Sequence, residues 1–142
     1  QITIKVAWNN SAFEGLVSSE TSYGEMKIVT KDFNDIIDMG EAELKIGFDG
    51  YTEFGLELPE WYKNKEYEFV YKFQDVTAML KAYSSYVSLA AISRETGINR
   101  ALLSHYANGL KVPRNKQQKI IVAGLHRIGA LLSKCTIDDE RK

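Results

Sequence analysis

The apolar residues of this chain keep one spacing up to about residue 74 and another beyond it. A chain that changes period once, part-way along, is two kinds of structure joined. In ITIKVAW (2–8), Ile2, Ile4 and Val6 alternate with Thr3 and Lys5, as in a strand with one buried face. In KEYEFVYKFQ (65–74), Tyr67, Phe69, Tyr71 and Phe73 alternate with Glu66, Glu68 and Lys72, with Val70 the exception. After Asp75 the spacing turns to three and four, with Val76, Met79, Leu80 and Tyr83 in one stripe, the period of a helix. The expected fold class is α+β: a small β-β-β-α-β domain over 1–74, then an all-α domain over 75–142.

Between the first two strands' worth of residues, Asn9-Asn10-Ser11 reads as a turn, and AFEGLVS (12–18) as the returning arm of a hairpin. A polar loop over 19–24 leads to a third strand, EMKIV (25–29). Thr30 is the expected cap of a helix whose buried face is Phe33, Ile36, Ile37, Gly40, Leu44 and Phe48. Asp49-Gly50 is its expected stop. Residues 51–64 read as a loop around Pro59. There Trp61 and Tyr62 are the candidate partner-binding residues, whereas Tyr67 and Tyr71 are assigned to the core.

The 142 residues include one cysteine, Cys135. An internal disulfide is therefore ruled out, which fits a reducing cytoplasm. No apolar run approaches the roughly 20 residues of a membrane span, and the first residues do not read as a signal peptide. The net charge of −1 conceals a division. Residues 1–75 carry 7 Lys/Arg and 15 Asp/Glu, a net −8, and residues 76–142 carry 11 and 4, a net +7. A basic half suits a phosphate-bearing partner. Solvated surface charge is the plainer explanation, since charge speaks to association and not to fold.

In the basic half, Ser88 is placed to cap a helix over 89–96 that ends at Gly97. Asn99 is placed to cap another over 100–108 that ends at Gly109, and Pro113 opens a long final helix. Ser and Asn are strong caps, and Gly commonly follows a helix end. Short helix, tight turn, second helix is the layout of a helix-turn-helix, in which the second helix enters the major groove of DNA. Ile98, Leu103 and Tyr106 would point inward. The candidate DNA-binding residues are Ser88, Asn99, Arg100, Ala101, Leu102, Ser104 and His105. Arg100 can donate two hydrogen bonds to a guanine. Lys111, Arg114 and Lys116, with Lys119 beyond, are placed for phosphates, which fix register and not sequence. Two short helices joined at a glycine also occur in ordinary bundles. The final helix is apolar around much of its circumference (Ile120, Ile121, Val122, Leu125, Ile128, Leu131 and Leu132), so a homodimer or higher even-numbered oligomer is expected.

The stretch SLAAISRETGINRALLSHYANGLKVPR (88–114) resembles the Cro-like helix-turn-helix of phage repressors. With TGIN at 96–99, LSHYANGLKVPR at 103–114 and LHRIG at 125–129, it is more closely similar to the C-terminal domain of HicB-type antitoxins. The likeness extends from about 66 to 133. Before that only the order of elements matches the partial ribonuclease-H-like domain of that family. The resemblance implies an antitoxin that neutralises a small basic toxin, an mRNA interferase of the HicA type, through its first domain. The second domain would repress the antitoxin's own operon. This chain departs from the family at 25–30, where EMKIVT stands in place of a glycine-rich strand.

No catalytic role is expected. The first strand has no Asp or Glu, so the carboxylate cluster of a ribonuclease-H enzyme cannot form where it is needed. His105 and His126 lack metal-ligand spacing, Cys135 has no evident base, and no phosphate-binding glycine loop is present. No cofactor is expected. Two other readings stand beside the antitoxin: a stand-alone repressor whose first domain oligomerises or binds a small ligand, and a vestigial nuclease.

Overall fold

The computed structural model describes residues 2–18 and 26–139. The polar loop expected at 19–24 and Glu25 lie outside the described residues. The chain is α+β, a four-stranded sheet followed by helices. It divides into two compact units, residues 1–82 and 83–142.

In the first unit, β1 (Ile2–Asn9) and β2 (Ala12–Ser18) form an antiparallel hairpin. Asn10 and Ser11, with φ of 52° and 59°, make the two-residue turn. Positive φ at both central positions is the type I′ geometry that matches strand twist, and Asn tolerates it well. β3 (Met26–Thr30) adds antiparallel to β2, and β4 (Phe69–Phe73) adds parallel to β1, giving the order β3-β2-β1-β4. The 21-residue helix α1 (Phe33–Glu53) joins β3 to β4 and covers one face of the sheet.

That face is the apolar one read from the alternation. Ile2, Ile4, Val6, Phe13, Val17 and Ile28 are buried, together with Phe33, Ile36, Leu44 and Phe48 of α1. The register places Phe69, Tyr71 and Phe73 beside Ile2, Ile4 and Val6. Phe33 packs edge-on to Tyr71, with ring centroids 5.3 Å apart, and tilted against Phe73 at 5.7 Å. Gly40 is a point of close approach, since a Cβ there would lie 2.9 Å from Ile4 Cδ1.

Several boundaries differ from expectation. The cap of α1 is Asp32, not Thr30: the Asp32 carboxylate accepts from Asn34 N–H at 2.9 Å. Thr30 belongs to β3, and its hydroxyl donates to Asp35 Oδ2 at 2.6 Å and accepts from Asp32 N–H at 3.2 Å, bracing the strand-to-helix turn. Gly50 does not stop α1, which runs to Glu53. The left-handed residue is Gly55, with φ of 69°. The span 51–64 is therefore not all loop: it holds the end of α1 and the single turn α2 (Glu60–Lys63). The fourth strand is shorter than expected, because Lys65, with φ of 54°, turns the chain before it.

α3 (Val76–Tyr83) starts at Asp75, whose carboxylate accepts from Ala78 N–H at 2.8 Å. The switch to helical spacing was read as the domain boundary, but the division into units falls later, after Ala82. Gln74 N–H donates to Val6 O at 2.8 Å, and Lys81 Nζ lies 4.9 Å from the centre of the Trp8 ring. Both contacts tie the start of the helical segment to the sheet.

The second unit contains α4 (Leu89–Thr96), α5 (Arg100–Ala107) and α6 (Asn115–Leu132). Its buried residues include Ile92, Ile98, Leu103, Tyr106 and Ile121. Pro113 is buried ahead of α6 and does not begin it. No helix among the described residues is long and apolar enough to cross a membrane.

Candidate nucleic-acid interface

The turn between α4 and α5 is fixed from both sides. The Ser88 hydroxyl accepts from Ala91 N–H at 3.0 Å and starts α4. Gly97 ends it with φ of 76°, where an L side chain would be strained. Asn99 Oδ1 accepts from Ala101 N–H at 2.7 Å and starts α5. Inside the turn, Thr96 Oγ1 donates to Ile92 O at 2.7 Å and accepts from Ile98 N–H at 3.2 Å, while Ser93 Oγ donates to Ile98 O at 2.6 Å. Nearly every polar group of the connection is thus used locally, and Ile98 is buried beneath it.

This bracing fixes which side of α5 faces out. Leu103 and Tyr106 are buried, as their spacing implied. Arg100, Ala101 and His105 are exposed, and Leu102 and Ser104 are half-buried. Arg100, Ala101, Ser104 and His105 recur at one, three and four residues, the spacing of a single helix face. Asn99 is exposed at its head but committed to the cap. Ser88 is exposed at the start of α4, on a different helix from the others. Lys111 lies in the α5–α6 connection, and Arg114 and Lys116 flank the start of α6. The sequence candidates therefore form two groups, an outward face on α5 and a cationic segment leading into α6.

The electrostatics of the second group are unusual. Thr96 to Ile137 contains no Asp or Glu. Arg127 is held by Glu95, with Nε 2.7 Å from Oε1. Arg100, Lys111, Arg114, Lys116 and Lys119 have no ion pair among the described residues. The first turn of α6 has no acidic residue and no side-chain cap. Cations at a helix N-terminus oppose the helix dipole, at roughly 0.3–1 kcal/mol each. N–H groups without a side-chain cap and cations together at the start of α6 are the combination that favours an anion. The sequence reading named these cations but not the helix end behind them. The signal was available as an acid-free first turn after a proline.

Trp61 and Tyr62 are half-buried on α2 and turned largely inward. Their ring centroids lie 5.4 Å and 4.2 Å from that of Phe48, and Tyr62 stacks on Tyr67 at 6.1 Å. Burial first, then the Asp49 and Glu41 carboxylates, raise the Tyr62 pKa above the ordinary tyrosine value. Tyr67 is raised as well, by burial first and then by the charge of Glu41, to which its hydroxyl is hydrogen-bonded. Both rings thus serve as packing for the end of α1, and only their outer edges are open to a partner.

No family model, curated protein or solved structure matches the chain. The assignment of this surface therefore rests on its own geometry and charge. Among the described residues, no group of three or more His, Cys, Asp or Glu is placed to hold a metal ion.

Proposed function

We propose that the second unit is a helix-turn-helix that binds operator DNA, and that the chain is a HicB-like antitoxin and repressor. The observation that carries the DNA reading is the outward face of α5, presented by a turn braced by local hydrogen bonds and followed by an acid-free cationic segment with no ion pair among the described residues. In this reading α5 lies in the major groove. Arg100 reads a base pair, Ala101 and Leu102 offer apolar contact to a thymine methyl, and Ser104 and His105 donate or accept at neighbouring edges. Lys111, Arg114, Lys116 and the first N–H groups of α6 hold phosphates. The net −8 of residues 1–75 makes that part of the chain the counterpart of a small basic toxin. Neutralising an mRNA interferase is the activity that the resemblance implies.

The test is fluorescence anisotropy on the DNA upstream of the chain's own reading frame, across a salt series. Arg100→Ala should weaken specific binding by roughly 1–3 kcal/mol and relax the preference at one base pair. Lys116→Ala should weaken all DNA alike and lower the salt slope by about one. Unchanged affinity in both variants would refute the assignment of α5. The toxin is tested by mass spectrometry of what remains bound to the tagged chain in high salt. A stand-alone repressor is favoured by one observation, the lack of any glycine in β3. Recovery of the chain as a homo-oligomer with no small basic protein would select it.

A further inference from the structure

The second face of the sheet, opposite α1, carries a feature that the DNA and toxin readings do not use. The register places Lys72 directly beside Lys5 across the parallel β1–β4 pair. Lys5 is opposite Leu16, and Leu16 is opposite Lys27, so three lysines share one row across four strands. With strands about 4.8 Å apart, the row is about 14 Å long. Lys27 lies 3.7 Å from Glu14, but Lys5 and Lys72 have no ion pair among the described residues. Like charges directly opposite on neighbouring strands are destabilising. Here that cost is left standing in a unit that has acids to spare.

The row borders a hollow of about 560 Å³, which Asn9, Glu14 and Gln74 also line. That volume is within the range of about 300–1,000 Å³ for small-molecule sites. Among the described residues the lining has one aromatic, Phe73, and its ring packs against Phe33 on the other face. The described lining therefore offers a nucleobase no ring to stack on. A long polyanion would extend past the lysines over a unit that carries a net −7 across residues 1–82. A compact anion confined to the hollow would feel chiefly the nearest charges, since screening acts over about 10 Å at 0.1 M salt. Asn9 Nδ2 donates to Glu14 Oε2 at 3.3 Å, and we infer that this hollow binds a small ligand bearing two or more phosphate groups, held by Lys5 and Lys72 with Gln74 as a neutral hydrogen-bonding partner. Nothing in this inference rests on what the second unit does.

The test is a ¹H–¹⁵N titration of the full chain with inorganic pyrophosphate at low salt, so that each amide reports its own site. Saturable shifts at Lys5, Ala7 and Lys72 are expected. Lys5→Gln or Lys72→Gln should weaken them about tenfold or more, and Lys31→Gln should not affect them. Without ligand, Lys72→Gln should raise the melting temperature of the first unit by about 1–4 °C at low salt and lose that gain in 0.5 M salt. Shifts confined to Arg100, Lys111 and Lys116 overturn the proposal, as does binding that survives both glutamine variants. Binding of an acidic peptide but not of pyrophosphate also overturns it, in favour of a protein surface.

Discussion

Replacing Gly124 by alanine tests the account of the α4–α5 turn. A Cβ at 124 would lie 2.5 Å from Thr96 Cγ2, with Glu95 Cγ and Arg127 Nη2 at 3.8 Å. Alanine favours an α-helix over glycine by about 1 kcal/mol, so without the contact the change would stabilise α6. The Thr96 methyl cannot turn away cheaply, because its hydroxyl is bonded at 2.7 Å to Ile92 O and at 3.2 Å to Ile98 N–H. Giving up both bonds costs roughly 1–3 kcal/mol, and pushing the helices apart costs a similar roughly 1–3 kcal/mol. The net expectation is a loss of up to about 2 kcal/mol. Thr96→Ser keeps the hydroxyl and removes the methyl. In that background Gly124→Ala should be neutral or stabilising, a coupling of about 1–3 kcal/mol. Trp8 and Trp61 both lie in the first unit, so tryptophan fluorescence would not report the change. Amide hydrogen exchange at Leu103 and Ile121 would. Slower exchange in Gly124→Ala alone, or an equal loss with and without Thr96→Ser, would refute the reasoning.

Asn99→Ala removes the α5 cap and should cost about 1 kcal/mol; urea denaturation by circular dichroism measures it, and DNA affinity should fall with it. Tyr62 and Tyr67 have pKa values raised in the fold. Their contribution is fully present below the unfolded value of about 10 and is lost as pH rises through the folded values. Stability of the first unit, followed by Trp61 fluorescence in urea, should therefore be flat to about pH 10 and fall beyond it, and Tyr67→Phe should lessen the fall. Leu131, Leu132 and Ile137 are 69%, 59% and 84% exposed. Light scattering should give an even-numbered oligomer at micromolar concentration and a smaller species for Leu131→Lys/Leu132→Lys; a monomeric wild type would end that claim.

What could be read in advance was what local chemistry fixes. Alternation identified the strand faces, because a strand buried on one side allows little else. Ser88, Gly97 and Asn99 located the turn, because each satisfies a backbone group that a helix end leaves open. The boundaries of α1 were misread for the same kind of reason. Thr30 and Asp32 are both good caps two residues apart, and only the strand pairing of Thr30 decides between them. Gly50 looked like a stop because nothing local shows that the helix runs on past it to Tyr51, whose ring packs edge-on to Phe48. The lysine row was hidden because it depends on register. Lys5, Lys27 and Lys72 are far apart in the chain, and nothing local says that they share one level of a sheet. The clash that awaits a side chain at 124 likewise depends on a helix crossing.

The place of β4 also has a consequence for the order of events during synthesis. β1 pairs with β2 across a two-residue turn, but its other neighbour begins at Phe69. The hairpin can close as soon as it emerges, whereas the parallel side of β1 waits for α1 to form and cross the sheet. At roughly 5–20 residues per second, that interval lasts several seconds. Over that time β1, one of the two inner strands of the finished sheet, is an open edge, with the apolar row Ile2, Ile4 and Val6 uncovered until α1 arrives. Long-range parallel pairing is slow for the same entropic reason in refolding. The native fold leaves β1 with no free edge, yet the nascent chain passes through a state in which β1 is the edge most open to a wrong partner.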